Sequence, residues 1–384
     1  MPPSCIRNPS VTVYQRIVAM IFNSVTAYSY KLSLKAPITL AGHRCAYREG
    51  VLLAAQMENG SVCWGEAAPL PGFSEESPGR VAEEARSVAL HLKHSHAVSE
   101  TALPQGVSPS VYFAYQHILQ SLSAREEGLP LRRYLNPEAS DRVPLCVLID
   151  GVGERSRIQF RRAFQRGYTT LKLKVGRSLL KEEAAFVCEL LREGGPEISL
   201  RLDANRTWTR EEALQFCQAV PVELIAFLEE PVREFQDLPF IQERTGVACA
   251  VDETLQALSR HVVCPGSGKS RGEAEQLRSV VEQARFLVWK PSLCLPISML
   301  GIQSGVPVIL SAAYETGVGT AAILAYAAAF SGSRWAAGVD TYTRLSSDIL
   351  ETPLPLNMPE IDLVACEGMG ISVNPSRLKV LWHV

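Results

Sequence analysis

Charged residues recur in this 384-residue chain at the ends of short apolar runs. Their types suit proton transfer beside a bound cation. One run ends Lys172-Leu-Lys174, the next Arg201-Leu-Asp203-Ala-Asn205, and the following ones Glu229-Glu230-Pro231, Asp252-Glu253 and Trp289-Lys290-Pro291. On an extended chain, residues two apart share a face. Lys172 therefore sits with Lys174, and Arg201 with Asp203 and Asn205. The same alternation lets only one of Glu229 and Glu230 face the interior. Asp203, Glu229 and Asp252 brought to one point would repel strongly unless a cation neutralised them. Oxygen donors with no His or Cys nearby favour Mg²⁺, with Mn²⁺ as a substitute. A lysine close to such a cation and to another ammonium has a depressed pKa and serves as a base. A metal can also stabilise the enediolate formed when a proton is taken next to a carboxylate.

Such residues need elements that present them side by side. From residue 143 short β-like runs alternate with helical stretches, at 143–151, 169–176, 197–205, 224–232, 247–254, 284–292, 307–315 and 334–342. Eight βα units match a TIM-type (β/α) barrel, whose chemistry gathers at the C-terminal strand ends. The competing reading is a doubly wound open sheet. That fold places a Gly-rich phosphate loop after an early strand, whereas "KVGRSLLKEE" follows the second run here. Upstream, "SVTAYSYKLSL" alternates and "ENG" marks a turn between two further β runs. Ser77 to His94 has helical apolar spacing, and "SPSVYFAYQHILQSLSAREEG" reads as an amphipathic helix closing on Gly128. The expected organisation is an extension over 1–19, an α+β capping domain over 20–140, and a (β/α) barrel over 141–350. Residues 351–384 are expected to return to the capping domain.

The succession KLK, LRLDANRTW, FLEEP, VDE and WKP resembles the enolase superfamily, in particular its o-succinylbenzoate synthase family. "GEAAPLPGFSEES" (65–77) is similar to that family's capping-domain loop, and "AGVDTYTRLSSDIL" (337–350) to its eighth-strand segment. The resemblance covers about residues 22 to 375. It implies that Asp203, Glu229 and Asp252 bind Mg²⁺ and that Lys174 is the acid/base. Lys290 would lie across the substrate, Lys172 would tune Lys174, and Arg201 and Asn205 would support metal and substrate. Of the two adjacent glutamates it selects Glu229. The implied reaction is syn dehydration of 2-succinyl-6-hydroxy-2,4-cyclohexadiene-1-carboxylate, a step of menaquinone and phylloquinone synthesis. Two opposed lysines also suit an N-acylamino acid racemase or dipeptide epimerase. Dipeptide epimerases usually carry Asp-x-Asp on the eighth strand, where this chain has Asp340-Thr341-Tyr342. A non-catalytic barrel is disfavoured by the cost of gathering so many charges without using them. "SAAYETGVGT" after the seventh run has alanines where the resemblance leads one to expect hydroxyls.

The resemblance implies a small-molecule carboxylate as the partner, and the oligomeric state is left open. A net charge of −2 gives no pull toward nucleic acid or anionic membrane. Proline, glycine and glutamine interrupt the charge-free stretch 291–314. In 316–333 the apolar part is too short to span a bilayer. The ten cysteines form no CxxC pair and read as reduced thiols of an intracellular, cytoplasmic protein. An acid-poor start bearing Arg7 and Arg16 resembles an organelle transit peptide, which would place the protein in a plastid or other organelle. Translation from Met20 is the plainer reading. "GSGKS" within 264–276 lacks the first P-loop glycine, since Val263 occupies that position, and reads as a flexible inserted loop. His91, His94 and His96 read as a solvated helix end.

Overall fold

The computed structural model describes residues 17–19, 22–40, 42–94, 97–99, 106–263, 271–302, 305–369 and 371–384. The expectations at residues 1–16, Met20, His96 and 264–270 lie outside the described residues.

Strands β1 (Phe22–Leu40), β2 (His43–Met57) and β3 (Val62–Ala67) form an antiparallel sheet. The C-terminal strand Lys379–His383 pairs with β1 at its edge. The "ENG" turn forms as read: Gly60 adopts a φ of 80° and Asn59 accepts from the Ser61 amide. Helices α1 (Pro78–His94) and α2 (Pro109–Glu126) pack on this sheet. Helix α2 lies so close to β3 that a Cβ at Gly65 would sit 2.2 Å from the Ala114 carbonyl oxygen. The expected amphipathic character of α2 is corrected: it is buried on nearly all sides, because the sheet lies on one flank and the barrel on the other. Tyr326 of the barrel donates to Gln120 of α2 at 2.7 Å across that second flank.

His117 is buried in α2, and its Nδ1 has no hydrogen-bond partner. Burial, aided by the charge of Arg125, pushes its pKa down to about 4. An unfolded histidine titrates near ~6.5, so on acidification the unfolded chain takes the proton first. The contribution of His117 to stability is therefore constant above about pH 6.5 and falls as pH drops toward about 4, by roughly 3 kcal/mol over the whole window. His117→Gln is expected to flatten the pH dependence of the urea midpoint in that window. An unchanged slope would rule His117 out as its source.

The second half of the chain forms parallel strands β4 (Cys146–Ile149), β5 (Thr170–Lys174), β6 (Ser199–Asp203), β7 (Ile225–Glu229), β8 (Cys249–Val251), β9 (Phe286–Trp289) and β10 (Val308–Leu310). They lie side by side in sequence order, which excludes the doubly wound alternative. Outward-facing Leu171, Leu173, Leu200 and Leu202 are fully buried under the helices. Inward-facing Phe227, Ala250, Val288 and Ile309 form a separate apolar plug near the barrel floor. The fold is a TIM-type barrel with an N-terminal α+β cap.

Among the described residues seven of the eight runs form strands of the barrel sheet, so the eighth run is corrected. Residues 334–342 contribute single parallel bridges, Leu145 with Ala337 and Ser311 with Gly338. These bridges close the gap between β4 and β10. The segment then turns into a 3₁₀ helix at Asp340–Arg344, because Asp340 accepts from the Leu148 amide and from Thr343 instead of continuing a ladder. Part of the inserted stretch is also corrected: residues 271–276 begin a helix, Arg271–Gln283. His94, in the last turn of α1, hydrogen-bonds the Leu90 carbonyl through its own ring. Among the described residues no helix is long and apolar enough to cross a membrane.

Candidate active site

The pleat turns the charged member of each strand end inward. Asp203 pairs with Lys174 on one side and with Glu229 on the other in the parallel ladder. Asp252 and Lys290 follow the last residues of β8 and β9. Lys172 Nζ lies 2.7 Å from Asp203 and 2.7–2.8 Å from both Glu229 oxygens. Lys174 Nζ donates to Asp203 at 2.6 Å and to the Asn205 Oδ1 at 2.8 Å. Lys290 is paired with Asp252. Asp203, Glu229 and Asp252 are all but inaccessible to solvent.

Electrostatics separate the three lysines. Burial lowers the Lys174 pKa, with Lys172 and Lys290 pushing the same way while Asp203 opposes them. Lys172 is raised, because Asp203, Glu229 and Asp252 outweigh its desolvation. Lys290 is raised for the same reason, chiefly through Asp252. Burial, and then the charge of Asp203, pushes the Glu229 carboxyl up to about 8. The crowding of acids seen in the sequence is therefore present.

No ready cage of three metal-ligating side chains converges among the described residues. The lysine ammonium groups stand among the three carboxylates, Lys172 and Lys174 at Asp203, Lys172 at Glu229 and Lys290 at Asp252. The chemistry of the carboxylates still fits a hard divalent ion: three buried oxygen donors, on one face of three adjacent strands, carrying a charge burden that shows in Glu229.

The remaining expected residues divide. Asn205 joins the site: besides Lys174, it donates from Nδ2 to Glu253 at 3.0 Å, and its own amide donates to Asp203. Arg201 is not among the residues that border the cavity. It lies a layer deeper, 5.3 Å over the Phe227 ring, and donates to the Ala336 carbonyl of the closing segment. Glu230 is buried as deeply as Glu229. A left-handed φ of 41° turns it out of the site, where it accepts from the Asp252 and Thr254 amides, the Thr254 hydroxyl and Arg206.

Several site features carry no signal in sequence. Arg48 of β2 is buried and donates to the carbonyls of Ala68 and Pro69 in the cap and of Ala313 and Tyr314 beyond β10. It holds Tyr314 in a left-handed conformation, φ 65°, at the cavity wall. Glu66 of β3 accepts from Tyr30, Thr316 and Gly319, which joins the cap to the helix Gly317–Tyr326. Between cap and barrel lies an open cavity of about 950 Å³, bordered by Leu40 and Phe73 from the cap and by all three lysines.

A capped (β/α) barrel with lysines and carboxylates gathered at its strand ends defines a class of enzymes whose chemistry sits at the barrel mouth. Residues 156–262 match the "Enolase C-terminal domain-like" family, and residues 22–122 match "MenC, N-terminal domain". The o-succinylbenzoate synthase of Escherichia coli O17:K52:H18 is 32% identical over 274 residues, covering 69% of this chain and 79% of that protein. The chain belongs to the o-succinylbenzoate synthase family of the enolase superfamily. It is also 30% identical over 308 residues to "Protein PHYLLO, chloroplastic" of Arabidopsis thaliana, matching 73% of this chain but only 18% of that longer protein. Among solved structures, the dipeptide epimerase of Enterococcus faecalis, complexed with Mg and a dipeptide, superposes with a TM-score of 0.71. It is 21% identical, and the match covers 92% of this chain and 99% of that one. This likeness concerns the fold.

Proposed function

We propose that this enzyme is an o-succinylbenzoate synthase, dehydrating 2-succinyl-6-hydroxy-2,4-cyclohexadiene-1-carboxylate with Mg²⁺ held by Asp203, Glu229 and Asp252; Mn²⁺ would substitute. The observation that carries this reading is the unequal setting of the two lysines. Lys174 is held by one carboxylate and one neutral amide, while Lys290 is committed to Asp252. Dehydration on one face needs a single base; racemisation needs two.

When bound, the cation supplies positive charge to the substrate carboxylate as the neighbouring proton leaves. Lys174 takes that α-proton and then delivers it to the departing hydroxyl, which leaves as water. Lys290 keeps its proton and stabilises the developing negative charge from the far side. Lys172 neutralises Asp203 and Glu229, and Asn205 aims the Lys174 ammonium. The Asp-x-Asp usual in dipeptide epimerases is here Asp340-Thr341-Tyr342, and Asp340 accepts from the Leu148 amide and Thr343. The test is to follow o-succinylbenzoate formation by the purified protein with Mg²⁺. Dehydration is expected. Racemisation of N-succinylamino acids without dehydration would replace this reading with the racemase one.

A further inference from the structure

The substrate proposed above carries two carboxylates, and only the one beside the α-proton is used by the machinery just described. We infer that Arg177 binds the second carboxylate, at the end of the succinyl tail, and makes the enzyme selective for a dicarboxylate. This inference rests on the dehydratase reading.

Four guanidinium groups border the cavity: Arg177, Arg206, Arg260 and Arg344. Three are already matched by acids of the protein. Arg206 meets Glu230 at 2.9 Å, Arg260 meets Glu75 at 3.3 Å and Arg344 meets Asp150 at 2.7 Å. Among the described residues Arg177 is the one of the four with no acidic partner. Its side chain is exposed to the cavity. An unmatched guanidinium in a cleft attracts anions, and its planar fork suits two-point binding of a carboxylate.

The base of this side chain is rigid. Successive amides of Gly176, Arg177 and Ser178 donate to the fully buried Glu183 at 2.8–3.0 Å. Gly176, at φ 77°, packs so tightly on Thr207 that a Cβ there would overlap its hydroxyl. The loop is thus fixed from below while the guanidinium extends into the cavity. Tyr314, on the loop beyond β10, feels the charges of both Arg344 and Arg177, which places Arg177 toward the same stretch of wall. Arg177 is three residues beyond Lys174, a separation of at most roughly 10 Å along the chain. A four-carbon tail leaving the ring beside Lys174 spans most of that distance.

The test is calorimetric titration of the full chain with Mg²⁺, using o-succinylbenzoate and its tail methyl ester as probes. The proteins compared are wild type, Arg177→Met and Arg177→Lys. Arg177→Met is expected to weaken the diacid roughly tenfold to a hundredfold, the range for a hydrogen bond to a charged group, with solvent screening favouring the low end. Ester binding should not change, and Arg177→Lys should fall between. In turnover the loss should appear in KM, with kcat nearly unchanged. Equal losses for diacid and ester, an unaltered diacid affinity, or no diacid binding by the wild type would each overturn the assignment. If Arg177→Met selectively loses the diacid but the wild type dehydrates nothing, the anchor stands and the dehydratase reading falls. If dehydration proceeds and Arg177→Met is indistinguishable from wild type, the reading stands and the anchor falls.

Discussion

Lys174→Ala is expected to lower the dehydration rate by at least ~10²–10⁴-fold, the usual worth of a general acid–base group. This is the largest effect anticipated for any single side chain, because one ammonium serves both proton transfers. Solvent exchange of the substrate α-proton should vanish with it. The variant should fold, since Asp203 keeps Lys172 at 2.7 Å and its own bond from the Asn205 amide. Lys290 provides the contrast. Lys290→Arg retains the charge opposite the site but changes its shape and hydration, so it should keep more dehydration activity than Lys290→Ala. An arginine does not give up its proton, so a racemase would fail in one stereochemical direction with either substitution. Deuterium exchange into each enantiomer of an N-succinylamino acid separates the cases. Equal dependence on both lysines, with fast exchange and no dehydration, would sink the one-base mechanism.

Glu229→Gln and Glu230→Gln should separate activity from stability, although the residues are adjacent and equally buried. Removing the Glu229 charge takes a donor from the proposed metal site. A metal contribution of several kcal/mol corresponds to a loss of order 10³-fold in rate. Lys172 still finds Asp203, so the fold should survive. Exhaustive chelation of the wild type should abolish activity in parallel, and full activity after chelation would refute the metal assignment. Glu230→Gln instead breaks a buried acceptor serving three groups on Asp252 and Thr254 as well as the Arg206 guanidinium. Losing such a pairing should cost about 3 kcal/mol of stability, seen as a lower urea midpoint. Its rate per folded molecule should exceed that of Glu229→Gln. The reverse ranking would mean that Glu229 faces away from the site.

Much of the barrel was legible because strand periodicity is local. A spacing of two residues places Lys172 with Lys174 and Asp203 with Asn205 whatever else the chain does. Eight apolar runs separated by helical stretches also announce a barrel without any knowledge of their pairing. Alternation also puts Arg201 inside, over the Phe227 ring. At Glu230 it held, since that side chain is turned away from Glu229, with a left-handed backbone at the strand end. The local reading failed at the eighth run, which closes the barrel through two bridges and not a strand.

By itself, then, the sequence determined the fold class, the order of the staves and the inward-facing acids and lysines, because each depends on neighbours a few residues apart. Only the tertiary structure decided which charge meets which. Lys172 stands between Asp203 and Glu229. Arg48 reaches carbonyls 265 and 266 residues away to set the cavity wall. Among the described residues Arg177, unlike Arg206, Arg260 and Arg344, has no acid opposite. Charge pairing depends on distance in space and on burial, and segments far apart in the chain supply both partners, so no local pattern encodes it.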